Sequence, residues 1–247
     1  MNKRIYLMIL VTALSFGAKA QQIFLDKVSI DYAKTVAVWP LMKEIEPEWF
    51  EEGKDHMPKE TISYFNFTSD GNKSVYKRVK EAEIPKDTWW QPFADQNMIY
   101  NDYETGTTIS QKPVFEETFL VQDSLSKIKW KLTADTRMIA GFECRKAIGI
   151  LYDTVAVFAF YTDEIKVSGG PESINGLPGM ILGVGIPRLH MTWFATKVQA
   201  LNAVEPKALA PATKGKKTNK KELLTLLDKA LSRGEAWGKK MVLAFVI

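Results

Sequence analysis

The sequence predicts a mainly β protein: a curved, mostly antiparallel sheet, half-barrel or sandwich-like, with one C-terminal amphipathic helix. Three observations predict it. Short β-branched and aromatic runs with a period of two recur along the chain. Turn residues punctuate them. Helical spacing shows in only one late segment. Of 247 residues, 46% are hydrophobic, 25% charged and 11% aromatic, which excludes a disordered or collagen-like chain. The length allows one domain with a sizeable core.

Taken in order, the chain opens with Lys3 and Arg4, an uncharged apolar run from Ile5 to Phe16, and Ala18-Lys19-Ala20. That is the pattern of a secretory signal peptide over residues 1–20, leaving 21–247 as a single β-rich domain. The apolar run has about a dozen residues, against the roughly 20 that span a bilayer, and no later stretch approaches a transmembrane segment. No cysteine sits beside the cleavage site to take a lipid. Cleavage removes three cations and takes the formal net charge from +4 to +1. Such a chain lacks the basic field that nucleic acid requires.

Thr61 to Thr68 and Ser74 to Val79 form a hairpin around Ser69-Asp70-Gly71-Asn72, because Asp-Gly tolerates the positive φ of tight turns. Pro85 to Pro92, with Trp89-Trp90, reads as a loop with an aromatic anchor. In the next strand Ile128, Trp130 and Leu132 share a face. Ala147–Tyr152 and Thr154–Tyr161 form a second hairpin turning at Asp153, and Val155–Phe160, apolar on both faces, is a central strand. Met191–Val198 is another strand, and Met241–Ile247 closes the sheet as the last. Residues 202–218, rich in Ala, Pro and Lys, form an exposed connection. A helix follows over about 219–233, with Asn219 and Glu222 as its capping box, Leu223, Leu227, Ala230 and Leu231 on its core face, and Gly234 as its stop.

The most specific stretch runs from Ser168 to Leu182. Gly169-Gly170-Pro171 makes one bend. Leu177-Pro178-Gly179 suits a type II turn, with Pro178 fixing φ and Gly179 supplying positive φ. Met180-Ile181-Leu182 then starts an apolar strand. Two stiff bends bracket Ile174, so the loop holds apolar residues in a fixed shape against a surface. Its glycines follow no phosphate-cradle spacing.

Gly176-Leu177-Pro178-Gly179-Met180-Ile181 resembles the signature of the GLPGLI family, with Met180 where Leu is usual and Gly183 where an acidic residue often follows. The strand Ile128–Leu132, the stretch Ile139–Ala147, Tyr161–Ile165 and Gly170-Pro171 resemble further elements of that family in order, over residues 24–233. The resemblance implies an exported, periplasmic or outer-membrane-associated β-rich protein of Bacteroidetes-type bacteria. It also implies a partner, an outer-membrane β-barrel protein or TonB-dependent transporter, and no general reaction.

The residues themselves point to binding. One cysteine and two histidines argue against a disulfide, a Cys-rich zinc site or a multi-His metal centre, and no cofactor motif is present. Cys144 reads as a small core residue. Ser168, His190 and Asp163 make a triad only on paper, because no nucleophile elbow accompanies them; Glu164 is a further acid for the same disfavoured hydrolase. Asp102 and Glu104, on one strand face, read as solvated carboxylates before cation ligands. Lys214, Lys216, Lys217, Lys220 and Lys221 read as a solvated loop before a membrane contact. The expected binding motif is therefore Gly170, Pro171, Gly176, Leu177, Pro178, Gly179, Met180, Ile181 and Leu182. Trp89, Trp90 and Trp130 are candidate contacts. The expected function is an accessory module docking on an outer-membrane barrel; the alternative is a carrier whose groove of Trp130, Phe158, Phe160 and Leu182 holds an apolar or peptide-like ligand.

Overall fold

A computed structural model describes residues 24–84, 88, 90–231 and 235–247. The expected signal peptide, Trp89 and the helix stop at Gly234 lie outside them. The described residues form one curved sheet of twelve strands: β1 (Val28–Ala37), β2 (Glu60–Ser69), β3 (Lys73–Lys80), β4 (Met98–Asp102), β5 (Thr107–Val114), β6 (Glu117–Ser124), β7 (Trp130–Ile139), β8 (Phe142–Leu151), β9 (Val155–Thr162), β10 (Met180–Ile186), β11 (Met191–Ala200) and β12 (Lys216–Thr218). Their order is β12-β6-β5-β4-β3-β2-β1-β11-β10-β9-β8-β7. The described strand pairs are antiparallel apart from β6 with β12. The mainly β, mostly antiparallel expectation holds.

Local chemistry explains the hairpins. Between β2 and β3, Asp70 Oδ1 accepts from the amides of Asn72 and Lys73, and Gly71 takes a φ of 101°. Between β8 and β9, Tyr152 and Asp153 are both left-handed, and the Thr154 amide closes on the Leu151 carbonyl at 3.2 Å. Two central residues with positive φ give the turn whose twist matches the strands.

Among the described residues four α-helices accompany the sheet: α1 (Val38–Ile45), α2 (Pro47–Gly53), α3 (Lys220–Leu231) and α4 (Glu235–Val246). The expected single helix is α3, and Asn219 Oδ1 caps it by accepting from the Glu222 amide at 2.9 Å. Leu223 and Leu227 are buried as expected, but Ala230 is exposed. The expected C-terminal helix is present, and a second one follows it; the closing strand expected over 241–247 is corrected, because residues 241–246 belong to α4. A short apolar run does not itself distinguish a strand from a buried helix. Here Met241, Val242, Ala244, Phe245 and Val246 are all buried. The expected connection 202–218 contains β12, three residues added to the edge of β6. No helix among the described residues is long and apolar enough to cross a membrane.

Most of the core lies on one face of the sheet, while β10 is buried along both faces and Phe160 is buried on the other. Along β1 the buried residues are Val28, Ile30, Tyr32, Lys34 and Val36, in strict alternation. The 163–179 loop packs on this face, with Ile165, Val167, Ile174 and Leu177 buried. Gly169 fits because a Cβ there would lie 3.0 Å from the Phe67 ring and 2.4 Å from the Tyr103 hydroxyl.

Candidate functional site

Two features meet on the segment 90–97, which leads into β4 without forming helix or strand. On one side lies a cleft of about 380 Å³ between this segment, β5 and α4. Its wall is a run of aromatic rings. Trp90 meets Phe93 edge-on at 5.7 Å, Phe93 faces Phe245 at 6.5 Å, and Phe245 meets Phe115 at 5.5 Å. Trp237 and Met241 of α4 complete it, with Gln91, Asp95 and Gln96 as polar members. Phe115 is 64% exposed. A smaller cleft of about 230 Å³ shares Trp237 and is lined also by Met42, Glu46 and Trp49. A mostly apolar concavity with a few polar groups is the usual form of a small-ligand site.

Next to this wall lies a buried ionic cluster. Lys34 sits at 2% exposure, with its ammonium 5.4 Å from the Trp193 ring centre and 5.8 Å from that of Phe65. It donates to the Ala94 carbonyl at 2.5 Å and lies 3.9 Å from Glu172 Oε1. Glu172 Oε2 accepts from Asn97 Nδ2 at 2.9 Å. Arg78 pairs with buried Asp95 at 3.2 Å. Lys112 is also buried, and its ammonium has no hydrogen-bond partner among the described residues. Burial pushes its pKa down to about 8, against a smaller attraction from Glu172. Glu172 is buried, and its backbone is left-handed, at φ 54°.

The 170–182 loop differs in role from the sequence expectation. Met180, Ile181 and Leu182 are fully buried and Leu177 is 1% exposed, so the surface these apolar members of the expected binding motif pack against is the protein's own core. Gly170 and Pro171 are buried, and only Gly176 and Pro178 are exposed. The Gly179 amide donates to the Leu177 carbonyl at 2.8 Å, making a three-residue turn at Pro178 in place of the type II turn. Trp130 Nε1 donates to the Asn175 carbonyl at 3.0 Å and so anchors the loop. Trp90, expected as an exposed contact, is 3% exposed.

The expected groove of Trp130, Phe158, Phe160 and Leu182 does not assemble. Trp130 is opposite Gly149 and Gly149 opposite Val157, so Trp130 shares the face of Val157 while Phe158 and Phe160 take the other. Nor does the paper triad meet. The Ser168 hydroxyl donates to the Leu177 carbonyl, Asp163 pairs with Arg145, and His190 Nε2 lies 2.7 Å from Glu44 Oε2. Lys240 also reaches Glu44, at 2.6 Å, and these two partners, Lys240 first, hold that carboxyl below its ordinary range. Cys144 is buried, which raises its thiol pKa to about 12. Asp102 accepts from the Glu104 and Thr105 amides, and Glu104 lies in the turn after β4, off the expected strand face. Among the described residues no three His, Cys, Asp or Glu gather as a metal site.

Sequence reasoning missed Lys34, Glu172, Lys112 and Trp237. Lys34 had a signal: it occupies an apolar parity position between Tyr32 and Val36. Trp237 was hidden because its helix reads in part as a strand.

The fold has relatives. A solved structure of PNGF-II in space group C2 has 15% identity and a TM-score of 0.51, covering 88% of this chain and 32% of that one. PNGF-II in space group P21 has 18% identity and a TM-score of 0.49, covering 78% and 32%. An uncharacterized conserved protein from Thermus thermophilus has 6% identity and a TM-score of 0.40, covering 85% and 99%. This chain therefore spans about a third of the length of PNGF-II. No curated protein matches it. The model of one family, N-glycanase peptide, N-terminal domain, matches residues 77–228. That match takes in more than half of the chain, which thus belongs to the N-glycanase peptide N-terminal domain family.

Proposed function

We propose that this domain is a non-enzymatic, exported binding module of the cell envelope, and that it holds an apolar or peptide-like ligand in the aromatic cleft beside Trp237. The cleft carries the reading: rings from three chain segments wall one concavity, and Gln91, Asp95 and Gln96 supply polar contacts for orientation. The family match to an N-terminal domain fits a module that serves another body. The resemblance to GLPGLI proteins supplies the partner, an outer-membrane barrel such as a TonB-dependent transporter.

N-phenyl-1-naphthylamine, a neutral apolar fluorophore, tests the cleft. The parent should bind it, and Trp237→Ala should weaken binding about tenfold, the effect of truncating one buried aromatic anchor. Equal affinity in parent and variant removes the cleft as the site. Purification from the native envelope followed by native mass spectrometry then separates a retained small ligand from a barrel partner. Recovery of the bare chain alone, under conditions that keep other envelope complexes intact, counts against both.

A further inference from the structure

We infer that Lys34 and Glu172 are positioning residues for the aromatic cleft, acting through polar anchors on the segment 90–97. The inference rests on the cleft being the contact site and adds what fixes its wall. Trp90, Phe93 and Gln96 of this segment line the cleft. With neither helix nor strand there, no backbone ladder holds it in place. Its ties to the sheet interior include the Lys34 ammonium on the Ala94 carbonyl at 2.5 Å, Arg78 on Asp95 at 3.2 Å, and Asn97 on Glu172 at 2.9 Å. Lys34 and Glu172 are each 2% exposed and 3.9 Å apart, so water screens neither. Ala94 holds a left-handed φ of 50°, a conformation that needs an external tether in a residue with a Cβ. Removing the ammonium that grips its carbonyl lets the peptide relax and carries the neighbouring Phe93 ring with it. Glu172 comes from the far loop, so one carboxylate joins the Gly-Pro-Glu bend to the cleft wall.

Amide hydrogen exchange on the whole chain tests this without a ligand. Lys34→Met should speed exchange of the 90–97 amides about tenfold more than it speeds those of β9. Glu172→Gln keeps an oxygen for Asn97 and removes the charge beside Lys34; as the milder change it should give the same local pattern, weaker. Val157→Ala, a core truncation outside the cleft, should show no such local excess. Lys34→Met should also weaken N-phenyl-1-naphthylamine about tenfold, and Val157→Ala should not. If exchange over 90–97 rises no more than elsewhere in both Lys34→Met and Glu172→Gln, the positioning role is overturned. If Trp237→Ala leaves probe affinity unchanged while the local exchange excess appears, the cleft reading falls and the positioning of the segment stands.

Discussion

Gly179→Ala should abolish or nearly abolish folding, with an expected loss of about 4 kcal/mol or more. Gly179 has a φ of 140°, which residues with a Cβ rarely adopt. A Cβ there would also lie 2.1 Å from the Thr162 carbonyl oxygen and 2.8 Å from its carbon. Those are backbone atoms at the end of β9, paired through Thr162 with Met180 of β10, so neither side can give way without breaking the ladder. Pro178→Ala is the contrast. Pro178 is exposed, and losing its ring costs chiefly unfolded-chain entropy, about 0.4–1 kcal/mol. Urea unfolding of the two single variants checks both figures. A Gly179→Ala midpoint equal to the parent's would refute the close approach of the turn to β9.

Lys112→Met should stabilise the protein by about 3 kcal/mol at pH 7, the free-energy equivalent of a lysine pKa moved from 10.5 to about 8. The folded state binds the proton on Lys112 less tightly than the unfolded chain does. Below about pH 8 both states are protonated, and the folded state carries the full penalty of a buried ammonium. Between about pH 8 and 10.5 the folded state has released that proton while the unfolded chain keeps it, so the parent's penalty fades as pH rises. The advantage of Lys112→Met therefore shrinks across that window and is nearly gone above it. Methionine keeps the stem and discards the charge, and apolar replacement of a poorly paired buried ion often stabilises. Thermal or urea unfolding of parent and variant at about pH 7, 9 and 10.5 reads the difference across that window. A variant less stable than the parent at neutral pH would show that Lys112 is well paired in solution.

The sheet was legible because its period is written in side chains that alternate between water and core. The β2–β3 and β8–β9 hairpins follow from turn residues whose dihedrals have few alternatives. The capping of α3 was legible for the same local reason. Helices α1 and α2, and the strand-like end of α4, are not legible in the sequence, because their faces are decided by what they pack against. The Gly-Leu-Pro-Gly loop shows the division best. Its stiffness is local and visible in the sequence, but its direction depends on Phe67, Tyr103 and Trp130, which come from distant parts of the chain. The candidate site was the least legible part. Its aromatic wall joins three segments, and its ionic cluster joins β1, β5 and a left-handed Glu172, a juxtaposition that only the tertiary fold creates.

Strand β1 lies between β2 and β11, and Val28 at its start pairs with Ala200 at the end of β11. The two halves of the sheet are stitched along that one seam, between segments from nearly opposite ends of the described chain. A chain emerging N-terminus first can zip β1 to β2 early, but its other edge stays open until β11 arrives. Pairing of β1 with β11 is therefore expected to come late in folding, because closing so long a loop is slow, and until then the open edge of β1 is exposed to pairing with a wrong neighbour.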